Sequence, residues 1–355
     1  MNLSRVLKLI GLLFGSFAVL SAQKELTGEI EGALYQISLP EQSNGKLVIL
    51  AHGYRPESLP KSASYGAGNV LPQTLLDAGW TLASTSYRRN GWIMEDAGAD
   101  LVNLRNFIEA EVMEPATVYL MGNSMGAGVI TWLSENHSEL FDGGLCLGAY
   151  VYGPIVEDGP VSTDIGEHYA GKPKFPLLYL TNTTELEGPT AYIDFADEAE
   201  PTPVLWKIAR AGHVNQNEQE QLSAFTALVD WANGGAIESN KDATIVLNPD
   251  STAVISETGI DAVAQTLVAV YGNFITNIVR SDLEKFDLQL GDTFELSANG
   301  QSVPVLLGAT YNDVSVGEWV AFWDADGYLL FCRNYKHAVN SLDLKQDNPL
   351  ILTFN

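Results

Sequence analysis

Cysteine is almost missing: the 355 residues hold two, Cys146 and Cys332. A disulfide framework needs paired cysteines, and a structural zinc site needs Cys or His clusters at short spacing. Two cysteines 186 positions apart give neither, and no His cluster has metal-ligand spacing. Basic residues are scarce as well, with 19 Lys and Arg against 44 Asp and Glu, for a formal net charge of −25. A surface of that sign repels nucleic acid and anionic lipid, so neither is an expected partner. No cofactor is expected. Long apolar runs are lacking except LIGLLFGSFAVL, residues 9–20, which is too short for the roughly 20 residues of a bilayer span. It follows Arg5 and Lys8 and precedes the small residues Ser21 and Ala22, the layout of a secretory signal peptide over residues 1–22. The mature chain is expected to be secreted or periplasmic, with no membrane attachment after cleavage.

What remains is a well-supplied core, with 46% hydrophobic and 10% aromatic residues. Apolar runs at 46–54, 81–87, 117–122, 143–153, 175–182 and 202–209 read as strands, after an alternating strand at 33–40. Helical spacing occupies 70–80, 95–112, 127–136 and 217–235. Strands alternating with helices predict an α/β fold with a mostly parallel sheet covered on both faces, which explains the uniformly apolar strands. The texture then changes. Residues 237–244 are polar and read as a linker, and 245–355 carry short strands and glycine turns, a second, mostly β domain. The first domain is assigned to 23–236.

The chemistry sits in YLMGNSMGAG, residues 119–128, where Ser124 lies two places from Gly122 and from Gly126 between a strand and a helix. A tight strand-to-helix turn needs glycines at those places and holds the serine hydroxyl at a helix N-terminus, where N–H groups favour negative charge. A serine needs a base. Of five histidines, His213 stands after the last strand of the first domain and before its last helix. The base needs an acid to fix its tautomer. The loop after strand 175–182 offers Glu185 first, then Glu187 and Asp194.

Residues 46–233, with GNSMGAG, AHGY at 51–54 and the order Ser124, Glu185, His213, resemble an α/β-hydrolase, and SYRRNGW at 86–92 resembles secreted bacterial members. The resemblance implies a Ser-His-Glu mechanism with an oxyanion hole from the Met125 and Tyr54 backbone N–H groups. The family's acid is usually Asp in a G-x-x-D turn, whereas this turn reads N-T-T-E. Residues 151–174 are too short for a large lid, so an open site is expected, near Tyr54, Arg55, Arg88, Arg89 and Trp92. Arg88 and Arg89 are expected to pair with Glu95 and Asp96.

In the second domain, YGNFITNI at 271–278, GDTFEL, and the stretch from Thr310 to Leu352 resemble the C-terminal domain of S-adenosylmethionine hydroxide adenosyltransferases. That resemblance implies contacts to adenine through Asn273, Cys332, Arg333, Asn334 and Ala338. The family's catalytic N-terminal domain has no counterpart here, so a structural or oligomerising role, giving a homo-oligomer, is the first expectation for this domain. The whole chain is expected to be an exported serine hydrolase, an esterase of small acyl esters. The alternatives are a peptidase, or an adenosine- or S-adenosylmethionine-binding protein on an inactive hydrolase scaffold.

Overall fold

The computed structural model describes residues 24–65, 71–153, 162–268 and 272–354. The expected signal peptide lies outside them. The first domain is built on eight strands: β1 (Lys24–Ile30), β2 (Ala33–Leu39), β3 (Lys46–Ala51), β4 (Thr81–Thr85), β5 (Thr117–Asn123), β6 (Gly143–Leu147), β7 (Leu177–Asn182) and β8 (Val204–Ile208). They form one sheet in the order β1-β2-β4-β3-β5-β6-β7-β8. β1 and β2 make an antiparallel hairpin, β2 runs antiparallel to β4, and all later pairings are parallel.

Alternation along single strands builds two cores from one sequence run. In β3, Leu47, Ile49 and Ala51 join one buried cluster while Val48 joins the other. The first cluster is closed by α2 (Met94–Glu111), α3 (Met125–Asn136) and α4 (Glu187–Phe195), through Leu101, Leu104, Ile108, Ile130 and Tyr192. The second is closed by α1 (Leu71–Asp77) and α5 (Glu218–Ala232), through Leu75, Leu76, Ala224, Phe225 and Leu228. α5 starts at a capping box: the Asn217 side chain accepts from Glu220 N–H, and the Glu220 carboxylate accepts from Asn217 N–H. This is the mostly parallel sheet covered by helices on both faces that the sequence predicts. Two elements escaped the sequence pattern. β1, KELTGEI, has mostly exposed positions, and α4 contains Gly188 and Pro189 in its first turn.

The second domain holds β9 (Val254–Ile255), β10 (Gly259–Val268), β11 (Asn273–Val279), β12 (Thr293–Ala298), β13 (Gln301–Leu307), β14 (Trp319–Trp323), β15 (Tyr328–Arg333) and β16 (Pro349–Thr353), with the short helices α6 (Arg280–Leu283) and α7 (Ala338–Ser341). The sheet runs β11-β15-β14-β13-β12-β16-β10-β9, and a further β10–β11 pairing closes it into a barrel. Ten-residue β10 makes closure work: Ala262 and Val263 pair with β16, while Leu267 and Val268 pair with β11. Phe274, Phe294 and Phe331 fill the interior, the first and last stacked at 5.1 Å.

The segment between the domains is held against the first. Lys207 N–H donates to Lys241 O at 2.8 Å, and Ala243 N–H to Lys207 O at 2.9 Å, alongside β8. Arg210 joins them further: its guanidinium bonds Glu220 at 3.0 Å, Asn215 O at 2.9 Å and Ile245 O at 3.3 Å.

Candidate active site

Ser124 stands between the end of β5 and the first residue of α3, with φ 54° and ψ −120°. A β-carbon-bearing residue seldom occupies that region, and it persists only where the surroundings enforce it. Here the enforcement is close packing. A β-carbon on Gly126 would lie 2.1 Å from Ala51 O, and one on Gly122 would lie 2.8 Å from Gly126 O. The two glycines thus let α3 start directly against the ends of β3 and β5. The Ser124 side chain makes no capping bond to the helix, so its hydroxyl is not spent as a cap. The oxyanion segment lies alongside: a β-carbon on Gly53 would meet Ser124 Cβ at 3.2 Å, and Tyr54 follows it in the chain. Met125 is the first residue of α3, so its N–H belongs to the unpaired first turn of a helix.

Glu185 and His213 meet beside this turn. Glu185 closes a one-turn 3₁₀ helix after β7. Its Oε2 takes His213 Nδ1, and its Oε1 accepts Val214 N–H at 3.1 Å. Both carboxylate oxygens are thereby engaged by the base loop. Ser124 N–H donates to Leu147 O at 2.9 Å, and a β-carbon on the next residue, Gly148, would lie 2.6 Å from Glu185 Oε1. Ser124, Glu185 and His213 therefore converge at the ends of β5, β6, β7 and β8. Glu187 and Asp194 lie exposed on α4 and are not brought to His213. Gly148 has φ +49°, so a side chain there is both strained and in collision with the acid. Gly148→Ala should lower kcat by about 10²-fold, the usual scale for displacing a catalytic group by roughly 1 Å. Steady-state kinetics on a nitrophenyl ester measure it, and an unchanged kcat would show that Glu185 has room to spare.

Sequence reading missed how tightly the acid and base loops are tied. Asn182, wholly buried at the end of β7, donates from Nδ2 to Arg210 O at 3.1 Å and Asn215 O at 2.9 Å, and its Oδ1 accepts Asn215 N–H at 2.9 Å. Thr184 Oγ1 donates to Gly212 O at 2.8 Å and accepts Gly212 N–H at 3.0 Å. A buried asparagine is a poor sequence signal, because its partners are backbone atoms 28 and 33 positions away.

His52 directly follows β3 and precedes the Gly53–Tyr54 segment, where the sequence makes the backbone matter more than the imidazole. Its ring does more. Nδ1 donates to Gly53 O at 2.7 Å, and the ring packs on Tyr87 at 4.0 Å. The Gly53–Tyr54 peptide is planar, so pinning its carbonyl fixes the direction of the Tyr54 N–H. Nε2 is buried without a hydrogen-bond partner. Burial, and then the nearby Arg55 charge, pull this imidazole down to about 4. A depressed histidine favours the neutral form when folded, so its contribution is complete above pH 6.5 and is lost as pH falls toward 4. The urea midpoint should fall over that window, by up to about 3 kcal/mol of stability from this group, and His52→Gln should flatten that part of the profile. An identical slope in the variant would assign the acid loss elsewhere.

The arginines of SYRRNGW are committed to carboxylates. Arg88 forms a two-toothed contact with Asp100 at 2.7 and 3.0 Å, and Arg89 bonds Asp96 at 2.7 Å. The expected pairing was with Glu95 and Asp96; Asp100, one helical turn beyond Asp96, takes the place of Glu95. Arg55 donates to Ser62 O at 2.5 Å. In the barrel, Phe274 pairs with Phe331, so Asn273 at the start of β11 lies beside Cys332, Arg333 and Asn334 at the end of β15. Val339 N–H donates to Gly272 O at 2.8 Å, bringing Ala338 to the same end. The Arg333 side chain is occupied by Gly317 O at 2.7 Å and Ser341 Oγ at 2.8 Å, and Asn334 Nδ2 by Val314 O at 2.8 Å. Cys146 and Cys332 are free thiols, both buried.

Residues 268–351 match the family model of the SAM hydroxide adenosyltransferase C-terminal domain. That domain is the barrel, from the last residue of β10 to the middle of β16. None of the curated proteins matches the chain. Solved structures similar to it include an uncharacterized conserved protein from Thermotoga maritima, at 18% identity and TM-score 0.26, over 36% of this chain and 47% of that one. A second is a putative dipeptidyl aminopeptidase IV from Bacteroides ovatus, at 15% identity and TM-score 0.47, over 60% of this chain and 36% of that one. A third is dienelactone hydrolase from Anabaena variabilis, at 16% identity and TM-score 0.42, over 60% of this chain and 95% of that one. The chain spans less than half the length of the first two. Among the described residues, no helix is long and apolar enough to cross a membrane.

Proposed function

We propose that this chain is an exported serine hydrolase, an esterase acting on small acyl esters. The observation that carries the reading is Ser124 held at φ 54° between two close-packed glycines, beside a His213–Glu185 pair. Glu185 accepts His213 Nδ1–H, which leaves Nε2 as the lone-pair nitrogen that removes the Ser124 proton. Ser124 Oγ attacks the acyl carbon, and the carbonyl electron pair moves to oxygen, where the N–H groups of Met125 and Tyr54 receive it. The tetrahedral intermediate collapses as His213 gives its proton to the leaving alcohol. Water then repeats the sequence on the acyl-serine, with His213 again taking and returning the proton.

Treatment with a fluorophosphonate probe, followed by mass spectrometry of the digested protein, tests the reading directly. The expected modified residue is Ser124, with accompanying loss of short-chain nitrophenyl ester hydrolysis. Absence of labelling in the folded chain would overturn it. The adenine-binding alternative predicts heat on titration with adenosine or S-adenosylmethionine. None is expected, because Arg333 and Asn334 already bond within their own domain.

A further inference from the structure

The barrel does not stand clear of the hydrolase site. Asn215, two residues past the base, donates from Nδ2 to Trp323 O at 3.0 Å, and Asn217 reaches Ala325 O at 3.4 Å. These bonds set the β14–β15 turn on the base loop. The connection between β13 and β14 then places Tyr311 edge-on to His213, with ring centroids 6.4 Å apart and planes at 73°. The expectation of an open site, drawn from the short 151–174 segment, took no account of a group from the other domain beside His213. Residues 154–161 of that segment lie outside the described residues.

On the hydrolase side of the same site stands a second aromatic group. Tyr150 N–H donates to Ser124 O at 3.1 Å, which fixes Tyr150 beside the nucleophile turn. Its ring packs edge-on against Trp92 at 5.1 Å and Tyr152 at 5.8 Å. Asn334 Nδ2 donates to Val314 O at 2.8 Å, which ties the segment of Tyr335 to the turn that carries Tyr311, and burial raises the hydroxyls of Tyr311, to about 12, and of Tyr150. Tyr335 projects from the barrel, 64% exposed and at φ 52°. In the first domain Arg88 is in an ion pair with Asp100, Arg89 with Asp96 and Arg210 with Glu220, and Arg333 of the barrel is held by Gly317 O and Ser341 Oγ. Aromatic walls and a chain charge of −25 do not favour an anionic substrate.

The geometry points to a two-domain aromatic clamp: Tyr311 and Tyr335 of the barrel face Trp92, Tyr150 and Tyr152 of the hydrolase domain and select neutral esters that carry an aromatic ring next to the scissile bond. This rests on the hydrolase reading above. The flat ring enters between the two walls, where edge-to-face contacts contribute beyond simple burial. Tyr311 thereby acts as a specificity-determining residue contributed by a domain with no acid, base or nucleophile of the proposed reaction.

The test compares kcat/KM for phenyl acetate over ethyl acetate, and for methyl benzoate over methyl acetate, in the full-length chain and in variants. Dividing each variant's ratio by that of the wild type removes the intrinsic reactivity of the esters. The first pair reads a ring on the alcohol side and the second a ring on the acyl side. Tyr311→Leu and Tyr335→Ala should each lower at least one ratio roughly two- to tenfold, while Tyr311→Phe keeps it. Unchanged ratios in both variants would overturn the clamp. Tyr335 is exposed, so its variant decides the matter even if Tyr311→Leu does not fold. A wild-type chain that hydrolyses none of the four esters and resists fluorophosphonate fails at the earlier step, and the clamp falls with the hydrolase reading.

Discussion

Ser124→Ala should abolish ester hydrolysis while the protein stays folded. The expected loss in kcat is roughly 10⁴-fold or more, because nucleophile, base and acid act as a unit and what survives comes from binding and the oxyanion donors alone. The fold should tolerate the change. Ser124 makes no side-chain cap to α3, so the hydroxyl removed is not one that holds the helix. Ser124→Gly sharpens the result. Residues with a β-carbon are strained at φ 54°, and glycine is not, so this variant should be just as inactive yet more stable by about 1 kcal/mol. Activity on a nitrophenyl ester and the urea midpoint together check both. A folded Ser124→Ala protein with full turnover would remove Ser124 from the chemistry.

Glu185→Gln is the second large effect, expected near 10⁴-fold in kcat by the logic of histidine tautomers. Two N–H donors face the carboxylate, His213 Nδ1–H on Oε2 and Val214 N–H on Oε1. A glutamine has one carbonyl oxygen and one NH₂, so one of those donors must face another donor. If the NH₂ turns toward the imidazole, Nδ1 must lose its proton and Nε2 must carry it, and the ring can no longer accept the proton of Ser124. Glu187→Gln and Asp194→Asn, on exposed positions of α4, should change kcat by no more than about twofold, since surface substitutions away from such features have small effects. Equal losses at Glu185 and Glu187 would break the assignment of Glu185 as the acid.

Much of the first domain could be read from the sequence because its parallel strands are buried on both faces. LVIL in β3, VYLM in β5 and LLYL in β7 are apolar at every position, as strands covered on both faces require. The hairpin strand β1 could not be, since KELTGEI lies at the sheet edge with most of its side chains in water. The position of Ser124 was legible because the turn demands Gly122 and Gly126, and local sterics leave a local signature. The acid was legible only as a ranking, Glu185 ahead of Glu187 and Asp194, and what separates them in the fold is a single 3₁₀ turn that aims Glu185 at His213. Least legible was the approach of Tyr311, since a contact spanning 98 positions depends on how two domains dock.

The closure of the barrel by β10 has a consequence for self-association. Open sheet edges expose rows of unpaired N–H and C=O groups that recruit strands from other molecules. The barrel's circuit of strands leaves no such row along β10 and β11, which pair with each other. In the sheet of the first domain, the outermost strand β1 carries Glu25 and Glu29, like charges that oppose pairing with a second copy, and β8 at the far side is partly occupied by residues 241–243. Strand-to-strand aggregation is thus guarded against at three places by three devices: ring closure, charge and a docked segment. The described sheet edges therefore disfavour a dimer built by sharing strands.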